Sequence, residues 1–229
     1  MIRNQTPPGF IMFDLDGTLI DSAPDLATST NELLEAAGLP ALTIDQVRSM
    51  IGNGIRMLVY RAFGAYGIDL EGDALTDATD RMMTIYARNL TLETVLMPGA
   101  ERTMRELHAI GVTLAVITNK PEAFTREILE FFDLDRFVSI VVGGDTGPKR
   151  KPAPDMLLHA LRLAGADPSD ALMIGDSPAD IDAAKAAGIA NIAVRGGYTN
   201  VAVEALGADT IIDSLEDLTI AFSQLRKAV

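Results

Sequence analysis

The sequence contains no cysteine and only two histidines among its 229 residues. Without cysteine the chain has no disulfides, no thiolate nucleophile and no Cys-ligated zinc, and a reducing compartment is allowed. His108 and His159 lie far apart in two helix-like patterns, which is more typical of surface or packing residues than of metal ligands. A metal site in this chain would therefore have to be built from oxygen donors.

Positive charge and long apolar runs are also scarce. Lys and Arg number 19 against 32 Asp and Glu, giving a formal net charge of -13. This balance argues against binding a nucleic-acid backbone, and an anionic small substrate would need local compensation from a metal ion, a Lys or an Arg. No apolar run approaches about 18 residues, and residues 1–9 lack a signal-peptide core. We therefore expect a soluble, cytoplasmic protein without a membrane segment.

The apolar pattern predicts an α/β fold in one or two domains. After an apolar strand at residues 10–13, four helices follow without intervening strands, at residues 24–37, 43–50, 55–63 and about 73–89. From residue 97 onward helices and strands alternate. The predicted strands cover 112–118, 137–142, 171–174, 191–194 and 210–212, and the helices 100–110, 121–132, 154–164, 178–187, 201–206 and a last one from 215. Such alternation indicates a doubly wound, mostly parallel sheet with an inserted helical segment.

Two carboxylates follow the first predicted strand. Alternate residues of an extended chain point the same way, so Asp14 and Asp16 can converge on one point. Gly17 supplies a turn that lets the backbone approach a ligand, and Thr18 adds a hydroxyl. The alternative is an ordinary Asp-Gly turn that ends a strand.

Further polar residues follow other predicted strands. Thr118, Asn119 and Lys120 come after the second strand, Asp176 follows the strand at 171–174, and Lys151 lies in the connection after residue 142. Ligands of open α/β sheets bind beyond the carboxyl ends of the strands, so these residues are expected around one cavity. Lys151 could instead be a solvated loop lysine.

Asp180 lies four residues after Asp176, on the helix that Pro178 opens. One interpretation is that Asp176 joins Asp14 and Asp16; the other is that Ser177 or Asp176 caps the helix and Asp180 complements its dipole. Converging carboxylates need a counterion, and Mg²⁺ is the simplest oxygen-binding choice. Because Mg²⁺ commonly bridges to phosphate, the pattern indicates phosphate chemistry, with Thr118 and backbone N–H groups holding phosphoryl oxygens and Lys151 offsetting negative charge.

Four motifs in this order resemble the haloacid dehalogenase-like superfamily over nearly the whole chain. They are Asp14-Leu15-Asp16-Gly17-Thr18, Ile117-Thr118-Asn119, Lys151-Pro152 and Gly175-Asp176-Ser177-Pro178-Ala179-Asp180. Within the superfamily, residues 13–22, the helical insert and Gly52-Asn53-Gly54 are similar to phosphoglycolate phosphatases with a mobile helical cap. The resemblance implies a Rossmann-like catalytic core at 1–19 and 97–229 and a cap at 20–96, with hinges near 20–22 and 91–98.

The resemblance also implies a role for each motif residue. Asp14 would be the nucleophile that becomes an aspartyl-phosphate, and Asp16 the general acid that later activates water. Mg²⁺ would be held by a side-chain oxygen of Asp14, the backbone carbonyl of Asp16 and the side chain of Asp176, with Asp180 orienting these ligands. Thr118, Asn119 and Lys151 would bind the phosphoryl group.

Substrate choice is expected to reside in the cap. Gly52, Asn53 and Gly54 can bring backbone N–H groups to a ligand, and Arg56 or Arg61 could pair with its carboxylate. The alternative is a loop between helices with two solvated arginines. The partner is expected to be a small phosphorylated metabolite.

The resemblance favours the hydrolysis of 2-phosphoglycolate to glycolate and phosphate. Related capped enzymes hydrolyse pyrophosphate, sugar phosphates or amino-sugar phosphates, or isomerise phosphosugars, and the core motifs do not separate these activities. A phosphoacceptor signalling module would use similar acids on a similar sheet. It would not need the helical insert or the second acid at Asp16.

Overall fold

A computed structural model of the chain describes residues 7–147 and 149–225. Its main feature is a parallel sheet of six strands, in the order β5-β4-β1-β6-β7-β8. The strands are β1 (Phe10–Phe13), β4 (Thr113–Ile117), β5 (Val138–Val142), β6 (Ala171–Gly175), β7 (Ala190–Val194) and β8 (Thr210–Ile212). The chain leaves β1 to one side for β4 and β5 and returns to the other side for β6, so the predicted doubly wound α/β fold is confirmed.

Strand β1 is apolar throughout because helices cover both faces of the sheet. Ile11 and Phe13 pack into one core cluster, whereas Phe10 and Met12 pack into another. Since alternate residues of a strand point to opposite faces, a central parallel strand has to be hydrophobic at every position. Burial of all four residues holds the end of β1, and therefore Asp14, in a fixed place.

The helices of the sheet lie close to their predicted bounds. They are α5 (Ala100–Ala109), α6 (Glu122–Phe131), α7 (Asp155–Ala164), α8 (Pro178–Ala187) and α9 (Leu218–Leu225). The helix predicted at 201–206 is instead a short 3-10 turn, Val203–Leu206, and the last helix begins with a 3-10 turn at Leu215–Asp217 before α9. No helix in the described ranges is long and apolar enough to cross a membrane.

The inserted helices are α1 (Ala23–Glu35), α2 (Ile44–Arg48), α3 (Ile55–Gly64) and α4 (Gly72–Asn89). A short antiparallel pair that the sequence pattern did not predict connects them to the sheet: β2 (Ile20–Asp21) pairs with β3 (Val95–Leu96). Both strands fall within the predicted hinge segments. The division into a core at 1–19 and 97–229 and a cap at 20–96 stays a prediction.

Candidate active site

Three neighbouring strands bring the predicted polar residues to one edge of the sheet. Asp14 follows β1 and donates its backbone N–H to the carbonyl of Ile174 in β6, at 2.9 Å. Thr118 follows β4, which is hydrogen-bonded to β1 on the side opposite β6. Asp176 follows β6 directly. Residues far apart in sequence therefore meet because β1 lies between the two strands that carry the others.

The carboxylates of Asp14, Asp176 and Asp180 form a buried cluster. One oxygen from each lies within 4.8 Å of the other two. Asp176 and Asp180 are 1% and 0% exposed, so water screens their charges little. The side chain of Asp16 is not part of this cluster among the described residues, which leaves its backbone carbonyl as the group predicted for the metal.

Lys151 is the ammonium group in contact with these acids. Its Nζ lies 2.9 Å from Asp14 Oδ1 and 2.6 Å from Asp180 Oδ1, and it donates a third hydrogen bond to the carbonyl of Ile117 at 2.6 Å. The prediction of a site lysine over a solvated one is thus supported by burial at 3% exposure. All three Nζ donors bind protein atoms, so Lys151 reaches a phosphoryl group only by sharing or exchanging one of them.

Burial and mutual repulsion set the charges of the cluster. Burial, with Asp180 nearby, raises the pKa of Asp14 to about 7, although Lys151 opposes the shift. Burial and the charges of Asp180 and Asp14 raise the pKa of Asp176 well above its ordinary value. Burial alone would lower the pKa of Lys151, but Asp14 and Asp180 together raise it, so this lysine stays charged.

The cluster fits a hard divalent cation. When ionised, its three carboxylates outnumber the Lys151 ammonium by two charges, and every donor is an oxygen. The surroundings hold Asp176 tightly: a Cβ on Gly17 would lie 2.7 Å from its Oδ2, and one on Gly197 would overlap the same carboxylate. Asp14, Asp176 and Asp180 therefore offer a rigid oxygen site in which Mg²⁺ would relieve the repulsion.

Asp180 both caps α8 and contacts the lysine of the site. Its Oδ2 accepts hydrogen bonds from the backbone N–H and the hydroxyl of Ser177, at 3.1 and 2.7 Å, and so caps α8. Its Oδ1 accepts from Lys151. The helix cap thus fixes the carboxylate that lies beside the lysine.

Asp16 has a separate set of partners, Ser22 and Lys120, and Lys120 in turn contacts α4 of the insert. Ser22 Oγ donates to its Oδ1 at 2.5 Å, and Lys120 Nζ lies 2.9 and 3.2 Å from its two oxygens. Lys120 also donates to the hydroxyl of Tyr86, in α4, at 2.6 Å. The sequence placed Lys120 at this edge without assigning it a role, and nothing in it pointed to Tyr86.

Thr118 and Asn119 line the same edge but differ in what their side chains do. Thr118 Oγ1 accepts from the backbone N–H of Lys120 at 3.2 Å. The Asn119 amide donates to the carbonyls of Gly52 and Lys151, both at 3.0 Å, and so joins the insert to the sheet edge. Its side-chain donors are therefore engaged by backbone carbonyls, and the role predicted for Asn119 in phosphate binding stays a prediction.

Tyr198 is a site residue that sequence reasoning missed. Its backbone N–H donates to Asp176 Oδ2 at 2.6 Å, while its hydroxyl donates to Asp21 Oδ1 at 2.7 Å and accepts from the N–H of Ser22. Burial, followed by the charges of Asp16 and Asp21, raises the pKa of Tyr198, so the hydroxyl keeps its proton. No local motif surrounds this tyrosine, and the partners of its hydroxyl, Asp21 and Ser22, lie 177 and 176 residues away.

A cavity opens between the sheet edge and the insert. Its floor holds Asp14, Asp16, Thr118, Asn119 and Lys120. Its other wall is apolar or glycine: Leu26, Ile51, Gly52, Gly54, Ile55 and Leu58. The predicted loop at 52–54 thus reaches the site through its two glycines.

The other predicted specificity residues lie away from this cavity. Asn53 accepts a hydrogen bond from Arg61 at 2.7 Å, and both line a neighbouring cleft. Arg56 is exposed on α3 and donates to Thr76 Oγ1 at 3.2 Å. In the described arrangement, therefore, neither arginine contributes a cation to the cavity that contains Asp14.

Comparisons with known proteins agree with the motifs. The family model described as haloacid dehalogenase-like hydrolase matches residues 11–194. A protein of Pseudomonas aeruginosa named phosphoglycolate phosphatase 1 is 42% identical over 225 residues, covering 97% of this chain and 82% of the relative. The phosphoglycolate phosphatase of Nitrosospira multiformis is 41% identical over 214 residues, covering 91% of this chain and 93% of the relative.

A solved structure shares the fold over almost the full length. The crystal structure of a predicted phosphoglycolate phosphatase from Haemophilus somnus has a TM-score of 0.88 and 34% sequence identity, covering 96% of this chain and 99% of that one. The resemblance predicted from the motifs is thereby confirmed. The chain belongs to the haloacid dehalogenase-like hydrolase family.

Proposed function

We propose that the chain is a Mg²⁺-dependent phosphatase that hydrolyses 2-phosphoglycolate to glycolate and phosphate through an aspartyl-phosphate. The observation that carries the proposal is that two aspartates with different surroundings line one cavity. Asp14 belongs to the buried oxygen cluster with Lys151, whereas Asp16 is outside that cluster and bonded to Ser22 and Lys120. Two carboxylates in such different surroundings suit a nucleophile and an acid–base group.

In the first step, a carboxylate oxygen of Asp14 forms a bond to phosphorus while the bond from phosphorus to the ester oxygen breaks. Asp16 gives its proton to the departing oxygen, which leaves as an alcohol. Lys151, which lies 2.9 Å from Asp14 Oδ1, holds the attacking carboxylate and offsets charge on the phosphoryl group. Thr118 and the backbone N–H of Asn119 complete the phosphoryl contacts.

In the second step, Asp16 takes a proton from a water molecule that attacks phosphorus, and the bond to Asp14 breaks to release phosphate. Bound Mg²⁺ would supply charge stabilisation to the phosphoryl oxygens and lower the repulsion between nucleophile and substrate. Asp14, the backbone carbonyl of Asp16 and Asp176 are the groups we propose to hold it, with Asp180 fixing their arrangement.

The cavity supports a small leaving group. Its insert-side wall consists of Leu26, Ile51, Ile55 and Leu58 together with two glycines. Several hydroxyls of a sugar would face this apolar surface without hydrogen-bond partners, which is unfavourable. A two-carbon leaving group presents few polar atoms to it. The relatives named phosphoglycolate phosphatase support the same choice.

The nucleophile is tested by Asp14→Asn. The amide keeps the shape of the side chain but cannot accept the phosphoryl group, so we expect phosphate release to fall by at least about 10³-fold. Asp45→Asn is the matched control because Asp45 is exposed and bonded to Arg48 on α2. Far-UV circular dichroism should show both variants folded. Activity near that of the parent protein in Asp14→Asn would remove Asp14 from the mechanism.

The substrate is tested with a panel of 2-phosphoglycolate, pyrophosphate, sugar phosphates and amino-sugar phosphates, each with and without Mg²⁺. We expect the highest kcat/KM for 2-phosphoglycolate and no turnover without the metal. A better substrate from the panel would replace the proposed one while leaving the mechanism in place. A stable phosphorylated protein without turnover would favour the signalling alternative.

A further inference from the structure

Lys120 is a buried cation next to the proposed acid, and the mechanism above does not use it. It is 4% exposed, lines the cavity and lies 2.9 Å from Asp16 Oδ1. Tyr86 covers it from α4: the hydroxyl accepts a hydrogen bond from Nζ at 2.6 Å, and Nζ lies 4.6 Å from the ring centroid. Tyr86 is itself fully buried. The ammonium group is therefore fixed, with little access to bulk water.

The only carboxylate that pairs with Lys120, among the described residues, is Asp16. The remaining partner of Lys120, the Tyr86 hydroxyl, is neutral, and Asp16 is shared with the hydroxyl of Ser22. A buried ammonium with one anionic partner can attract a second anion, such as a carboxylate of the substrate, in the cavity that it lines.

The position of Lys120 matches the chemistry of a short acidic leaving group. The ester oxygen has to lie within hydrogen-bond reach of Asp16 to receive its proton. In 2-phosphoglycolate a single carbon separates that oxygen from the carboxylate, so the carboxylate falls in the neighbourhood of Asp16, where Lys120 Nζ lies 2.9 and 3.2 Å from the acid oxygens. The rest of the cavity wall on that side is apolar or glycine.

The other candidate cations are engaged elsewhere. Lys151 binds Asp14, Asp180 and the carbonyl of Ile117 on the nucleophile side. Arg56 is exposed and bonded to Thr76, and it does not line the cavity. Lys120, by contrast, is a buried ammonium on the sheet side of the cavity and lines it directly.

We propose that Lys120 binds the carboxylate of the leaving group and is the residue that selects phosphate monoesters of short 2-hydroxy acids. This inference rests on the proposed function and adds the group that recognises the substrate. The inference predicts that the preference for 2-phosphoglycolate over a phosphate monoester of equal length without a carboxylate comes from one ammonium group. Tyr86 and Asp16 hold that group in place.

The experiment compares 2-phosphoglycolate with ethyl phosphate, in which a methyl group replaces the carboxylate. Lys120→Met removes the charge and keeps most of the apolar stem, and Lys120→Gln removes the charge while retaining a side-chain N–H donor. Lys149→Met is the matched control because Lys149 is exposed on the loop before Lys151. kcat and KM are measured for both substrates, and melting curves check folding.

We expect each Lys120 variant to lower the ratio of kcat/KM values, 2-phosphoglycolate over ethyl phosphate, by about 10- to 100-fold, mainly through KM, as suits the loss of a charge-assisted hydrogen bond. Lys149→Met should leave the ratio unchanged. A binding measurement gives an independent readout: in the Asp14→Asn background, adding Lys120→Gln should raise the calorimetric Kd of 2-phosphoglycolate and leave that of ethyl phosphate nearly constant.

An equal loss for both substrates would overturn the inference, because Lys120 would then act only by positioning Asp16. An unchanged ratio in Lys120→Gln would overturn it as well. Failure of the proposed function is seen separately, in the parent protein, as poor turnover of 2-phosphoglycolate relative to the rest of the phosphate panel.

Discussion

Tyr198 connects the acidic cluster to the start of the helical insert through its backbone N–H and its hydroxyl. Its backbone N–H holds Asp176, while its hydroxyl meets Asp21 and the N–H of Ser22 at the first turn of α1. The tyrosine is 6% exposed. At the scale of one residue, this hydroxyl is the acceptor for the backbone N–H of Ser22, so its removal should lower the free energy of unfolding.

Tyr198→Phe should lower the free energy of unfolding by about 1–3 kcal/mol, because a buried N–H and a carboxylate oxygen lose a partner. Tyr66→Phe is the control, since the Tyr66 hydroxyl makes one exposed hydrogen bond to the carbonyl of Pro40; its expected loss is below about 1 kcal/mol. Urea unfolding followed by circular dichroism measures both. Equal losses would mean that the bridge at Ser22 adds nothing.

Helix α3 begins where the insert approaches the sheet edge, and Gly54 sets the angle of that start. Gly54 has a φ of +83°, and a Cβ there would lie 3.1 Å from the carbonyl oxygen of Asn119 and 3.0 Å from an Arg150 nitrogen. A left-handed backbone and a close approach thus both favour glycine. The same helix ends at Gly64, where an added Cβ would meet nothing within 4 Å.

Gly54→Ala should destabilise the protein by about 1 kcal/mol or more and raise KM, because the strained turn forms one wall of the cavity. Gly64→Ala, the same change at the other end of α3, should be neutral or stabilising by up to about 1 kcal/mol. Thermal unfolding and substrate titration test the pair. Identical effects at the two positions would show that the approach of Gly54 to Asn119 is unimportant.

The molecule as a whole carries a formal charge of -13, and its cluster of three buried acids concentrates part of that charge. Asp14 has an ordinary pKa of 3.8 that rises to about 7 in the folded protein, so the folded state binds this proton more tightly. The resulting contribution to stability is complete below about pH 4 and is lost as pH rises through about 7. The raised pKa of Asp176 acts in the same direction.

Under the proposed function Mg²⁺ binds the same carboxylates, so it should replace the protons that are lost as pH rises. We therefore expect MgCl₂ to raise the melting temperature much more at about pH 8 than at about pH 5, relative to KCl of equal ionic strength. Asp176→Asn should reduce the Mg²⁺ effect at the higher pH. Equal shifts at the two pH values would contradict the assignment of the metal to these acids.

Most of the fold could be predicted from local patterns. Continuous apolar runs such as 10–13 and 171–174 indicate strands buried on both faces, and Pro178 marks the first turn of a helix. The two-residue strands β2 and β3 were missed because their pairing joins residues about 75 positions apart and leaves no periodicity in either segment. The 3-10 turn at Val203–Leu206 was predicted as a longer helix because one apolar turn looks the same in both.

The sequence by itself determined which carboxylates follow the strands, because the order of the strands along the chain and the residues after Phe13 and Gly175 are local properties. Only the tertiary structure decided which side chains those acids meet: Lys151 with Asp14, Lys120 and Tyr86 with Asp16, Tyr198 with Asp176. The physical reason is distance along the chain. Periodicity records how each segment is buried, whereas the partner of a buried charge depends on contacts between segments that only packing brings together.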